Sequence, residues 1–422
     1  MRVSGTPVTA VSPPPNRQRP AKLLGFTASA RIANDETKSP PMSVRSSKSA
    51  TATSSPARQL PGSYRAMTIN EATRSYERWM RRCGTLIEAE LREKHARMRR
   101  DLFLFFRGTF YRWTQLWRER ADELSAAPHV LAVGDLHIGS FGTWRDGEGR
   151  LAWGVDDFDE AHPLPYTQDL VRLATSVKLG IDADQLSVGL REGCDAILDG
   201  YANALRAGGC PLVLAEAHQN MRQFGFEALK PPKRFWRHLK RLPRARQVPR
   251  DVTHAFRDAL PRSDVPYQVL RRRAGMGSLG QPRFVALAEW EGGCIAREAK
   301  ALIPSAIAWL AGQPSRGQPY YQRILADAIR SRDPFQLVVG RWLIRRLSPE
   351  ANPIDLTDLP KERDEVQLLR AMGTETANVH LAAFRQRRAV LDDLARRPSK
   401  WLRDAAKTFA KAVEQDWNDY RA

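Results

Sequence analysis

The chain is poor in cysteine, with four in 422 residues, and these four are far apart. Cys83, Cys194, Cys210 and Cys294 form no Cys-x-x-Cys pair, which argues against a zinc knuckle or a disulfide framework and favours a reducing compartment. The sequence also lacks an apolar signal core and any apolar run near the ~20 residues that a membrane span needs. We therefore expect a cytoplasmic protein without a membrane partner.

Acidic residues are also scarce, with 47 Asp and Glu against 67 Lys and Arg and a formal net charge of +20. Such an excess indicates anionic partners such as nucleotides, nucleic acid or acidic lipid. About eight units of it fall within residues 1–66, so the rest of the chain is less basic than the total suggests. The apolar fraction of 42% is ordinary and suffices for a sizeable core.

Residues 1–66 are rich in Ser, Thr, Pro and Ala and have almost no apolar periodicity. This composition predicts a disordered basic extension. An equally good interpretation is that translation begins at Met42 or Met67, so that the segment is not made.

Two aspartates are predicted to meet through a β-hairpin. The apolar run 130–133 ends in Gly134-Asp135, as in a buried strand that delivers a carboxylate to a loop. Residues 141–144 and 150–155 form two further strand-like runs around a turn-like segment 145–149. A hairpin returns to its start, so Asp157 should lie beside the loop that contains Asp135. Two such carboxylates can divide the roles of base and metal ligand.

Helical periodicity flanks this hairpin. Residues 69–117 have spaced apolar positions, and Arg107 lies in their most apolar part, either as an anion partner in a cleft or as a snorkelling surface residue. Residues 168–180 predict an amphipathic helix that ends at Gly180. The C-terminal third is expected to be mainly helical.

The basic run 230–250 contains Phe235, Trp236 and several prolines and predicts a linker between two lobes. A basic run with aromatics can bind nucleic acid, although such runs are more often a solvated face. We do not favour a nucleic-acid partner.

Gly275-Met-Gly-Ser-Leu-Gly280 matches the Gly-x-Gly-x-x-Gly pattern, which alone is a weak signal. Strand-like runs at 267–270 and 283–290 flank it, whereas a dinucleotide fold needs a following helix. Strand, glycine loop and strand cover nucleotide phosphates in kinases. A third strand at 294–300 would place Arg297 or Lys300 beneath the loop; the alternative is a glycine-rich hairpin beside two ordinary surface cations.

Gly134-Asp-Leu-His137 resembles the catalytic loop of the aminoglycoside phosphotransferase and choline kinase relatives of protein kinases. The resemblance implies that Asp135 is the catalytic base and that Asp157-Phe-Asp159 stands at the metal-binding Asp-Phe-Gly position. It also implies that Asp169 braces the catalytic loop, although a plain helix-terminus aspartate explains this residue equally well.

More broadly, residues from about 98 to 422 look like the bacterial domain-of-unknown-function 2252 family, which carries a kinase-like assignment and no settled substrate. The segments that carry this resemblance are Leu104-Phe-Phe-Arg-Gly108, Gly134-Asp-Leu-His137, Asp156-Asp-Phe-Asp-Glu160, Asp169-Leu-Val-Arg-Leu173, Gly275-Met-Gly-Ser-Leu-Gly280, Ala296-Arg-Glu-Ala299 and Leu343-Ile-Arg-Arg-Leu347.

The resemblance implies an α+β, protein-kinase-like two-lobed fold with a mainly helical larger lobe. Residues 67–229 would hold the catalytic loop and the hairpin, and residues 230–422 the glycine-loop strands and C-terminal helices of the same domain. With ATP as substrate and Mg²⁺ as cofactor, the implied site residues fall into three groups. They are Asp135, His137 and Arg107 for catalysis, Gly275, Gly277, Ser278, Gly280, Arg297 and Lys300 for the nucleotide, and Asp157, Asp159 and Ser140 for the metal.

Three features depart from the kinase pattern. Ser140 stands where the pattern has Asn, which weakens the second metal position, and Arg297 stands where the family usually has Lys. The glycine loop follows the Asp-Phe-Asp segment instead of preceding it. Either the two lobes are circularly permuted or the glycine loop is unrelated to the nucleotide site.

The sequence thus predicts a kinase-like phosphotransferase that acts on an unknown small hydroxyl or amine substrate. The first alternative is a catalytically weakened protein that binds nucleotide or nucleic acid. A metallophosphoesterase is less favoured, because the chain has only eight His and no Gly-Asn-His motif to complete a two-metal site.

Overall fold

The computed structural model describes residues 66–214, 229, 231–313, 319–353 and 365–422. The predicted extension over 1–66 therefore lies outside the described residues, except for Ala66. The described chain mixes helices and sheets, which agrees with the predicted α+β class. Within it, every helix is too short or too polar to traverse a bilayer.

The helices and strands of the described residues are named in chain order. The helices are α1 Ile69–Cys83, α2 Glu88–Arg100, α3 Leu102–Gly108, α4 Phe110–Arg120, α5 Asp122–Ser125, α6 Tyr166–Asp182, α7 Leu190–Ala207, α8 Pro232–Lys240, α9 Arg250–Ala259, α10 Ala306–Leu310, α11 Pro319–Asp327, α12 Glu365–His380, α13 Arg387–Arg396 and α14 Trp401–Arg421. The strands are β1 His129–Ala132, β2 Phe141–Arg145, β3 Leu151–Val155, β4 His162–Pro165, β5 Tyr267–Arg271, β6 Arg283–Trp290, β7 Gly293–Ala301, β8 Leu337–Val339, β9 Trp342–Leu347 and β10 Asn352–Pro353.

Helix α6 lies within the main apolar core and positions the loop after β1. Its apolar residues Leu170, Leu173 and Val177 are fully buried, as the predicted amphipathic face requires. The predicted end at Gly180 is wrong, because the helix continues to Asp182. Gly180 instead permits close packing, since a Cβ there would lie 3.3 Å from Ile138.

The predicted hairpin is confirmed. β2 and β3 pair antiparallel from Phe141 opposite Val155 to Arg145 opposite Leu151, and the Asp156 amide donates to the Ser140 carbonyl at 3.1 Å. The two strand-like runs and the polar turn between them are local signals, so the sequence sufficed to predict this element. The hairpin carries residues 156–160 back to the loop after β1.

A five-stranded antiparallel sheet, in the order β5-β6-β7-β9-β8, carries the glycine loop between its first two strands. Side chains of a strand alternate between two faces. Phe284 therefore packs in one apolar cluster with Phe256 of α9, whereas Val285 packs in another with Leu239 of α8. The strands predicted at 267–270, 283–290 and 294–300 are confirmed as β5, β6 and β7.

Helix α8 corrects the interpretation of the basic run 230–250 as a linker. Residues 232–240 are helical, and Phe235 and Trp236 are partly buried against Leu239 in the sheet's apolar cluster. The aromatic side chains thus cover the sheet, which favours the solvated-face interpretation of the surrounding cations over a nucleic-acid surface.

Candidate active site

A cleft lies between the glycine loop, the loop after β1 and the end of the hairpin. The space within it is about 1100 Å³ when the part open to solvent is included. Among the described lining residues, five acidic and five basic side chains face one another. They are Asp135, Asp156, Asp157, Asp159 and Glu160 on the acidic side, and Lys94, Arg107, Arg272, Arg283 and Arg345 on the basic side.

The Asp135 loop is fixed from behind by Asp169 in the first turn of α6. One Asp169 oxygen accepts the Val133 N–H at 2.6 Å, and the other accepts the Gly134 N–H at 2.9 Å. Gly134 has φ +87°, and a Cβ there would lie 2.3 Å from the Glu160 carbonyl oxygen, so only glycine fits. Asp169 therefore holds the backbone of the loop that carries Asp135.

Asp135 is held by Arg172 on the next turn of α6. The Arg172 Nε donates to Asp135 Oδ1 at 2.8 Å, and Nη2 donates to the same oxygen. Arg172 is 0% exposed, and its guanidinium carbon lies 4.0 Å from the ring centre of Phe106 and 4.9 Å from that of Trp113. The second oxygen, Oδ2, faces the glycine loop, since a Cβ on Gly277 would lie 3.9 Å from it.

Burial raises the pKa of Asp135 above the usual carboxyl range, and Arg172 opposes that rise. The hydrogen bonds thus hold Oδ1, whereas Oδ2 lies on the side of the cleft. Sequence reasoning gave Arg172 no role, although an arginine within the apolar run Leu170-Val-Arg-Leu173 was a visible signal.

His137 and Ser140 stabilise the loop itself. The His137 Nδ1 accepts the Gly139 N–H at 3.0 Å, and burial, together with Arg107 and Arg172, lowers the pKa of His137 well below its usual value. The Ser140 hydroxyl accepts the His137 N–H at 3.1 Å and donates to the Asp135 carbonyl at 3.2 Å. Both side chains line the cleft, but the Ser140 hydroxyl is used within the loop, which leaves it poorly suited to the predicted metal role.

Asp157 and Asp159 share Lys300 as a partner. The Lys300 Nζ lies 3.0 and 2.9 Å from the two Asp157 oxygens and also contacts Asp159. Partial burial raises the pKa of Asp157, but the Lys300 ammonium outweighs this effect and holds that pKa below its usual range. Burial and the Asp157 charge raise the pKa of Asp159.

The glycine loop reaches the same cleft although it comes later in the sequence. Gly275, Gly277 and Ser278 line the cleft, whereas the Gly280 carbonyl accepts the Ile87 N–H at 2.8 Å just before α2. Gly275 has φ +76°, and a Cβ there would lie 2.9 Å from Arg283 Nη2. The glycine loop therefore forms one site with the Asp135 loop.

Lys94 of α2 was missed by sequence reasoning. Its Nζ donates to the Gly277 carbonyl at 2.9 Å, and the side chain is 6% exposed. Burial lowers the pKa of Lys94 to about 8. Nothing in the heavily charged sequence of α2 distinguished this lysine from its neighbours.

Arg107 and Arg297 have different positions. Arg107 lines the cleft, and its buried Nε has no hydrogen-bond partner within the described part of the chain, which favours the anion-partner interpretation.

Arg297 lies on the opposite face of β7 from Lys300, because residues three apart on a strand point to opposite faces. Its Nε donates to the Ala259 carbonyl at 3.0 Å, and its guanidinium carbon lies 4.2 Å from the ring centre of Phe335. The predicted place of Arg297 beneath the glycine loop is therefore wrong, and Lys300 lies on the cleft side.

The carboxylates fit Mg²⁺ only together with a phosphate ligand. Among the described residues, no group of three or more His, Cys, Asp or Glu is arranged to hold a metal. Mg²⁺ in phosphate-transfer sites is bound by one or two carboxylates plus substrate phosphates. Asp157, whose side chain is 47% exposed to the cleft, and Asp159 provide such a pair.

Comparisons with known proteins match only the part of the chain that carries the Asp135 loop and the hairpin, and not the glycine loop. No curated protein and no solved structure matches the chain. Residues 82–222, about a third of the sequence, match the family model described as "Uncharacterized protein conserved in bacteria (DUF2252)". The segment that carries Asp135, Asp157 and Arg172 thus supports the bacterial domain-of-unknown-function 2252 family as the family that this chain resembles.

Proposed function

We propose that this protein is a kinase-like phosphotransferase that moves the γ-phosphoryl group of a nucleotide to a small hydroxyl or amine substrate. The observation that carries the proposal is the pairing of Lys300, on the strand after the glycine-loop hairpin, with Asp157 at 2.9 Å. A lysine on the third strand and an aspartate after the catalytic loop are the recurring parts of kinase sites. Here Asp157 lines one cleft with Asp135 and the glycine loop, and Lys300 contacts that aspartate.

In this mechanism Asp135 acts as the general base. Its Oδ2 accepts the proton of the acceptor O–H or N–H as the acceptor atom attacks the γ-phosphorus. The bond between the γ-phosphorus and the bridging oxygen breaks, and the nucleoside diphosphate leaves with that electron pair. Arg172 holds Oδ1, so that the basic oxygen stays directed at the cleft.

The rest of the site binds and orients the nucleotide. Gly275, Gly277 and Ser278 place backbone next to the cleft, and Lys94 tethers the Gly277 carbonyl. Asp157 and Asp159 would hold Mg²⁺, which neutralises charge on the transferred phosphate. On this proposal the sheet with α8 and α9 is the small lobe of a kinase-like fold, and it follows the catalytic loop in a permuted order.

A second candidate is nucleotide binding without turnover. It is favoured by Ser140, whose hydroxyl is used within the loop, so that the metal site has fewer ligands than an active kinase. A metallophosphoesterase is not supported, because the described residues contain no group of three His, Cys, Asp or Glu arranged to hold a metal.

Thermal unfolding of the full chain with ATP, in Mg²⁺ or in EDTA, tests the proposal first. A ligand at 100 times its Kd adds about 2.7 kcal/mol to stability, so MgATP should raise the melting temperature more than ATP in EDTA. Release of phosphate from MgATP then separates turnover from binding alone. A melting temperature that no nucleotide changes would contradict both candidates.

A further inference from the structure

A buried glutamate holds three arginine side chains in the wall of the cleft beside the glycine loop. Glu298 of β7 is fully buried and accepts hydrogen bonds from Arg272, from Arg283 at 3.1 Å and from Arg345 at 2.7 Å. All three arginines line the cleft. Asp156 is the next acidic partner, 3.9 Å from Arg345. One glutamate against three guanidinium groups leaves this cluster with excess positive charge.

Arg283 lies at the centre of the cluster and borders the glycine loop. Its side chain is 3% exposed, and its Nη2 donates to the Ser278 hydroxyl. Its Nε is buried and has no hydrogen-bond partner among the residues that the structure describes. A buried N–H without an acceptor is unfavourable, so an anionic ligand in this part of the cleft would be stabilised.

Lys300 does not compete for this role. Its ammonium group is occupied by Asp157 and Asp159, so the usual lysine contact with the phosphates is reduced. Arginine binds phosphate through a fork of two parallel N–H groups, which gives both charge and geometry.

We propose that Arg272, Arg283 and Arg345, held by Glu298, form a binding site for a linear phosphate chain. The inference rests on the proposed function in taking a nucleoside triphosphate as the ligand; an inorganic polyphosphate has the same chemistry. On this arrangement the three arginines bind the phosphate chain, and Asp157 and Asp159 bind the metal.

The test is calorimetric titration of the full chain in EDTA, where the acidic wall has no metal, at a fixed ionic strength. The probes are inorganic triphosphate, ATP and adenosine. Arg272→Gln and Arg345→Gln should each weaken triphosphate and ATP binding by about 10-fold or more, the effect of losing one charge-assisted hydrogen bond. Adenosine binding should stay unchanged. The matched control is Arg273→Gln, since Arg273 is adjacent in sequence, is 66% exposed and pairs with Glu90.

The two positions were chosen because the fold should survive their loss. Arg272 and Arg345 are 23% and 19% exposed, and each change leaves Glu298 with two arginine partners. The melting temperature without ligand checks this. If both Gln variants unfold, Arg272→Lys and Arg345→Lys retain the charge and remove the fork, and weaker triphosphate binding is again expected.

Triphosphate affinity equal to the wild type in both folded variants would overturn the inference, as would binding of adenosine but not of triphosphate. Different results would contradict the proposed function. Arginine-dependent binding of triphosphate without any transfer or hydrolysis of MgATP would support the phosphate site and contradict the phosphotransferase activity. Hydrolysis of MgATP with an unchanged KM in both variants would support the phosphotransferase activity and contradict the phosphate site.

Discussion

The acidic and basic walls of the cleft hold their charges in different ways. On the acidic wall, Asp135 is backed by Arg172 and Asp157 by Lys300, two cations that are 0% and 2% exposed. On the basic wall, three arginines share the single carboxylate of Glu298. Arg172 and Lys300 therefore contact the aspartates directly, whereas the three arginines outnumber the one carboxylate that they bind and retain positive charge that the proposed phosphate chain would neutralise.

The two cations of the acidic wall also differ from each other. Arg172 makes a two-nitrogen contact to one oxygen of Asp135 and lies among the rings of Phe106 and Trp113, so it fixes one orientation of the carboxylate. Lys300 is a point charge between Asp157 and Asp159. The Asp135 carboxylate is therefore fixed through one oxygen, whereas Asp157 and Asp159 share one ammonium group.

The largest expected effect follows removal of the basic oxygen of Asp135. Asp135→Asn should lower MgATP hydrolysis or transfer by about 10²- to 10⁴-fold, the usual contribution of a positioned base. The amide oxygen can still accept from Arg172, so the melting temperature should change little. Phosphate release measures the rate, and Asp392→Asn, at a side chain that is 59% exposed, is the control. Full activity in a folded Asp135→Asn protein would refute the base assignment.

Removing Arg172, the partner of Asp135, should lower the free energy of unfolding. Arg172→Met leaves Asp135, whose side chain is 21% exposed, without its cation, and losing one partner of a buried pair costs at most about 3–5 kcal/mol. Urea denaturation monitored by tryptophan fluorescence measures this loss. Arg172→Lys should recover part of the stability but not the orientation of Asp135, because lysine lacks the fork. A loss below about 1 kcal/mol in Arg172→Met would show that the pair is not structural.

Asp157→Ala tests the other aspartate of the acidic wall. The variant should lose the difference between the stabilisation by MgATP and that by ATP in EDTA, because a hard cation needs a carboxylate oxygen at this point. That difference is at most about 2.7 kcal/mol at 100 times the Kd. Stabilisation by ATP in EDTA should persist, since in the proposed site the arginines bind the phosphates without a metal. An undiminished effect of Mg²⁺ on the melting temperature would remove Asp157 from the metal site.

The smallest expected effect is a difference in stability between substitutions at two glycines of the glycine loop. Gly275→Ala places a Cβ 2.9 Å from Arg283 Nη2 at φ +76°, and a non-glycine residue in this region costs about 1–2 kcal/mol. Gly277→Ala meets contacts no shorter than 3.7 Å and should be nearly neutral for stability. Chemical denaturation of the two variants decides the comparison, and equal losses would show that the approach of Arg283 does not constrain the loop.

Local signals explain what sequence reasoning predicted correctly. The hairpin β2–β3 followed from two strand-like runs around a polar turn, and β5, β6 and β7 followed from strand-like runs around the glycine loop. These patterns depend on neighbours within a few residues. Helix α8 was missed because its prolines and basic residues resemble a linker, and only burial of Leu239 against the sheet shows its role.

The sequence by itself determined the elements of the site: the Asp135 loop, the Asp157 hairpin, and the glycine loop between two strands. The hairpin also predicted that Asp157 lies beside the Asp135 loop, whereas only the tertiary structure brought the glycine loop into the same cleft. Lys300 pairs with Asp157 across 143 residues, and Lys94 contacts Gly277 across 183. No periodicity encodes pairings at such separations, because they depend on how the sheet packs against the helices. The same packing placed Arg297 away from the cleft and left the three arginines on one buried glutamate.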